Sequence, residues 1–117
     1  MASVTVEGDR LHVRMSPLER LAAFHGDVVV PLSSIAEARV IERALDGLRG
    51  IRAPGTGVPG VIAYGTRRGS FGRDFAAVRG SGPGLVIELR GAKFRRVVVS
   101  LADPDPAREL ITASTRR

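Results

Sequence analysis

From residue 61 onward the chain is a succession of short β-branched runs separated by glycine turns, and that rhythm limits the folds open to it. Strands are expected near 61–67, 73–79, 85–90 and 94–100. Between them stand Gly69-Ser70-Phe71-Gly72, Gly80-Ser81-Gly82-Pro83-Gly84 and Gly91-Ala92. Leu85, Ile87 and Leu89 point one way, and Val86, Glu88 and Arg90 the other. Val97, Val99 and Leu101 continue the inward pattern on the last strand. Regular short strands with glycine turns predict an antiparallel meander closed into a barrel or folded as a sandwich.

The N-terminal part begins with a hairpin. Val4 and Val6 alternate with polar neighbours, Gly8-Asp9 turns, and Leu11, Val13 and Met15 share a face opposite His12 and Arg14. Ser16-Pro17-Leu18-Glu19 reads as a helix start: Ser caps, Pro is tolerated at the first position, and Glu three residues after the cap completes a capping box. Leu18, Leu21, Ala22 and His25 recur at helical spacing and Gly26 stops the helix, which predicts one short helix near residues 17–25. Val28-Val29-Val30 is a strand that Pro31 confines to an edge or bulge. Residues 36–43 are expected as another strand. Residues 44–60, with glycines at 47, 50, 55, 57 and 60, read as a long irregular loop, the kind of segment on which binding sites sit. Asp103-Pro104-Asp105-Pro106 opens a C-terminal helix over 103–113 whose narrow face is Ala107, Leu110, Ile111 and Ser114, with 114–117 as a frayed tail.

A length of 117 residues suits one domain spanning 1–117. There is no cysteine, which removes disulfides, thiolate metal sites and thiol nucleophiles, and agrees with a reducing cytoplasm. No signal peptide is read at the N-terminus, and no apolar run approaches the ~20 residues of a membrane span. A soluble, cytoplasmic protein is expected.

Eighteen cations against twelve anions give a net charge of +6, and Lys93 is the only lysine in an arginine-rich set. Much of this excess is a compositional preference for arginine over lysine. Seven of the cations fall in two turn regions: Arg67, Arg68 and Arg73 around one, and Arg90, Lys93, Arg95 and Arg96 around the next. In a meander both turns lie at the same end, so these residues form a candidate anion-binding rim. Arginine offers a planar fork for phosphate or carboxylate. Phe71, at a turn tip, is the one ring placed to be exposed beside them. With Arg52, Pro54, Thr56 and Val58 of the long loop, Phe71 also marks a candidate interaction segment.

Catalytic and cofactor motifs are absent or explained structurally. Gly55-Thr56-Gly57-Val58-Pro59-Gly60 has the letters of a dinucleotide loop, but Pro59 removes a donor and the β-type run Val61-Ile62-Ala63-Tyr64 follows where a helix is needed. His12 and His25 read as surface or capping residues, and a metal site joining them with Asp27 would need a tertiary approach that spacing does not supply. Ser16, Ser33, Ser34 and Ser100 have roles as caps, turns or strand positions, and Asp103 and Asp105 as helix caps. No enzyme activity, no cofactor and no metal are expected.

Two segments resemble bacterial pleckstrin-homology-like domains. They are Val30-Pro31-Leu32-Ser33-Ser34-Ile35, and the run from Gly84-Leu85-Val86-Ile87-Glu88-Leu89 through Phe94 to Val99-Ser100-Leu101-Ala102-Asp103-Pro104. The stretch Arg52-Ala53-Pro54-Gly55-Thr56-Gly57-Val58-Pro59-Gly60 also looks like one shared by small uncharacterised proteins of high-GC bacteria. The likeness implies a mainly β fold with two helices: a barrel of about seven antiparallel strands plugged by the C-terminal helix, with the helix near 17–25 as an addition. It also implies a non-catalytic module for protein interaction or homo-oligomerisation. The phosphoinositide signature of the family is missing from Glu7-Gly8-Asp9-Arg10-Leu11-His12-Val13-Arg14. The runner-up reading is an anion-binding domain whose arginine rim meets nucleic acid, anionic lipid or an acidic partner.

Overall fold

A computed structural model of the chain describes residues 2–23, 26–58 and 62–115, with backbone only for 51–58. The fold is mainly β with two helices, as expected. Three strands, β1 (Ser3–Glu7), β2 (Arg10–Arg14) and β3 (Val28–Pro31), form one antiparallel sheet with β2 at its centre. Pro31 lies opposite Arg10 on an edge strand, where its missing N–H breaks no ladder.

The second sheet has six strands: β4 (Ile35–Ile41), β5 (Ile51–Val58), β6 (Ile62–Gly69), β7 (Gly72–Arg79), β8 (Gly84–Leu89) and β9 (Arg96–Ser100). Their spatial order is β4-β8-β9-β7-β6-β5. Among the described residues the strands therefore number nine, and the second half is not a simple meander. β9 enters between β7 and β8, pairing parallel with β7 and antiparallel with β8. Val97, Val98 and Val99 are all essentially inaccessible. Such an unbroken apolar run suits a central strand covered on both faces better than an outer one.

Two cores follow from the alternation. On one face Tyr64, Phe75, Leu85, Ile87, Val97 and Val99 pack against Leu11, Val13, Val28 and Val30 of the small sheet. Helix α1 (Pro17–Ala23) and helix α2 (Pro104–Thr115) complete this side, through Ala23 and Ile111. α2 begins directly after Asp103 and continues through Thr115, so 114 and 115 are helical rather than a frayed tail; Leu110 turns outward.

On the other face Ala63, Ala76, Val78, Val86 and Val98 are covered by Ala44, Leu45 and Leu48. Over 44–58 the expected loop is therefore two structured pieces, a 3-10 turn at Ala44–Gly47 and then β5, while 59 and 60 lie outside the described residues. Gly47 explains why the turn lies so close to the sheet. A Cβ there would come within 3.0–3.1 Å of Val86, Ile41 and Val98. Residues 44–50 form a strap across this face. Among the described residues, no helix is long and apolar enough to cross a membrane.

Candidate functional site

The two arginine-bearing turns do meet at one end of the six-stranded sheet. The Arg95 amide donates to the Arg73 carbonyl at 2.7 Å, and Asp74 lies beside Arg96 in the β7–β9 register. Their arginines divide into two groups according to the face they take.

One group fastens the strap. Arg96 donates to Glu88 at 2.9 and 3.1 Å and to the Gly47 carbonyl at 3.1 Å. Arg39 holds the same Glu88 carboxylate at 2.7 Å. Burial pushes the Glu88 carboxyl up, but hydrogen bonds from Arg96 and Arg39 outweigh it and leave the group below the ordinary carboxylate value. Arg67 caps the carbonyls of Arg49 and Gly50, each at 3.0 Å. Arg49 grips buried Asp74 with two bonds of 2.6 and 3.0 Å, which raises the guanidinium pKa further. Arg67 and Arg96, expected on an anion-binding rim, thus serve the fold. Sequence reading did not find Arg49 or Asp74.

Phe71 is also committed. Arg49 stacks 4.0 Å above its ring, and the ring rests on Gly50 and Gly69, where a Cβ would collide with it. It is half-buried and is not the open platform expected from its place at a turn tip. Arg52, Pro54, Thr56 and Val58 lie on β5 rather than in a loop, and their side chains lie outside the described residues.

The other group is displayed. Arg68, Arg73, Arg90, Lys93 and Arg95 are all exposed. Arg68 stands directly opposite Arg73 in the β6–β7 register. The Lys93 ammonium lies 5.4 Å from the ring centre of Phe94.

A second surface lies over β6 and is formed by α1. The capping box forms as read: the Glu19 amide donates to Ser16 Oγ at 3.2 Å, and the Ser16 amide to Glu19 Oε1 at 3.0 Å. The helix faces the other way from what its leucines suggest. Glu19 is buried, with its second oxygen accepting from Tyr64 Oη at 3.1 Å, while Leu18 and Leu21 are 71 % and 70 % exposed. Burial, then the charge and hydrogen bond of Glu19, push the Tyr64 phenol up to about 12. Burial also pushes Glu19 up, but hydrogen bonds from Ser16 and Tyr64 and the N-terminal charge bring it below its ordinary value. Beside the leucines is a shallow hollow of about 140 Å³ lined by Leu18, Glu19, Ala22, Ile62, Tyr64 and Arg79. Arg20 is anchored at the other side, on the Met15 carbonyl and near Asp27. A signal for this arrangement is present in the sequence: a capping-box Glu stands between the two leucines.

His12 stands 3.6 Å from Glu7, His25 lies outside the described residues, and no group of three metal-ligating side chains gathers among the described residues. Compared with family models, curated proteins and solved structures, the chain matches none.

Proposed function

We propose that the chain is a non-catalytic protein-interaction module, cytoplasmic, whose docking face is the outward side of α1. The observation that carries this is the pair Leu18 and Leu21, each about 70 % exposed one helical turn apart. The helix buries a carboxylate and presents leucine, the reverse of what solvent exposure favours. The likeness of the C-terminal strand and Asp-Pro helix to pleckstrin-homology-like domains adds support, because those domains act more as scaffolds than as catalysts.

Charge selects the partner. The hollow beside the leucines is bordered by Arg79, on a chain of net charge +6. Two copies meeting through this face would bring like charges together. A partner segment with apolar residues flanked by acids would match both features, in the helix-in-groove or helix-on-helix manner.

The test uses a synthetic amphipathic peptide of leucine and glutamate, followed by methyl NMR. Shifts are expected at Leu18, Leu21, Ala22 and Ile62, and Leu21→Ser should weaken binding about tenfold, the worth of one buried leucine. Absence of shifts on α1, or unchanged affinity in Leu21→Ser, would overturn the reading. Concentration-dependent dimerisation abolished by Leu21→Ser would replace the acidic partner by a second copy.

A further inference from the structure

A second surface, apart from α1, is formed by the exposed arginines around the β6–β7 turn. We propose that the end of the six-stranded sheet bearing Arg73 and Arg95 binds the phosphate backbone of double-stranded nucleic acid without sequence preference.

These residues are gathered by the strand register. Arg68, Arg73 and Arg95 are the chain neighbours of Arg67, Asp74 and Arg96, all three of which turn toward the strap. Strand alternation therefore sends Arg68 and Arg73 to the opposite face of the same end. Arg68 and Arg73 are direct cross-strand partners, an arrangement of like charges that disfavours the hairpin. Arg95 joins them from the approach to β9: its Cγ lies 3.2 Å from where a Cβ on Gly72 would stand, and its amide is bonded to Arg73. Gly72, at φ +113°, leaves space for it.

The nearby acids are already engaged. Asp74 is held by Arg49, and Glu88 by Arg39 and Arg96. Arg73, Arg90 and Arg95 have no ion-pair partner among the described residues. Both of these carboxylates are engaged on the strap side.

The spread of the charges selects the kind of anion. The guanidinium groups come from two strands and a turn and stand exposed, so they suit a polymer that presents several anionic groups in succession. Single-stranded nucleic acid is usually held by stacking on exposed aromatics. Phe71 is already packed under Arg49, and Phe75 and Phe94 are buried against each other at 5.4 Å between ring centres. With no open stacking platform among the described residues, contact with phosphates of an intact duplex is the mode these arginines suit.

The experiment is fluorescence anisotropy with a labelled DNA duplex of arbitrary sequence, across a salt series. Two to three phosphates neutralised predict a log–log slope of about −1.8 to −2.7, or affinity falling about 10- to 40-fold between 50 and 200 mM salt. Arg73→Ser and Arg95→Ser should each reduce the slope by about 0.9, and Lys at either position should restore it. Arg43→Ser, matched in charge but at the opposite end of the sheet, should leave it unchanged. Circular dichroism confirms that each variant is folded. No binding at 50 mM salt, or an equal effect of Arg43→Ser, would overturn the proposal. So would equal or tighter binding of single-stranded DNA or polyglutamate.

Discussion

Two short covers lie on opposite faces of the six-stranded sheet, and the same device fastens both. The strap is held by ion pairs and carbonyl caps from Arg49, Arg67 and Arg96, and α1 by the bond from Tyr64 to Glu19. The outcomes are opposite. The strap turns Ala44, Leu45 and Leu48 inward, sealing a core, whereas α1 turns Leu18 and Leu21 outward, leaving a surface. The difference teaches that the polar anchor sets the facing of a short segment. A seven-residue helix has too little apolar area to override one buried, satisfied carboxylate.

The comparison is broken most severely on the strap. Arg49→Ala strands Asp74, which is 3 % exposed, and removes the stacking partner of Phe71. Unfolding free energy should fall by about 3 kcal/mol in urea titration. Asp74→Asn/Arg49→Ala, which removes the buried charge as well, should recover part of that loss.

On α1 the anchor matters less. Glu19→Ala removes half of the capping box and leaves the Tyr64 hydroxyl without its acceptor, which should lower stability by about 2 kcal/mol. Tyr64→Phe should lower it by roughly 1 kcal/mol. If either change instead left stability untouched, Glu19 would not be what orients the helix.

The anchors also respond differently to pH. Tyr64 is pushed from 10.0 to about 12, so its neutral form is favoured in the folded chain. That contribution is complete below pH 10 and lost as pH rises from 10 through about 12. Glu19 and Glu88 are both lowered, so what they contribute is present above the usual carboxylate value of 4.5 and is lost as pH falls through their lower folded values. Urea titrations of the protein and of Tyr64→Phe between pH 8 and 12 should converge as Tyr64 ionises. A constant gap across that range would contradict the hydrogen bond.

Local signals in the sequence were enough to locate the capping box at Ser16–Glu19, the edge position of Pro31 and most strands, because caps, prolines and period-two patterns act over a few residues. They were not enough to orient α1, because the residue that decides it, Tyr64, is 45 positions away. The strap has the local sequence of a loop for a similar reason. Its glycines look like turn formers, but Gly47 is needed for close approach to Val86 and Val98, and its carbonyl is capped by Arg96, 49 residues on. The meeting of the two arginine turns was legible; the division of their arginines was not. It depends on β9 entering beside β7, a parallel pairing that a glycine-turn rhythm does not announce.

The most direct test is the unfolding free energy of Leu18→Ser/Leu21→Ser, measured by urea titration at several protein concentrations. Because both leucines face solvent, the double change should cost no more than about 1 kcal/mol, with a midpoint independent of concentration. A loss of about 4 kcal/mol or more would mean that the leucines are buried in the folded chain and that α1 does not display a docking face.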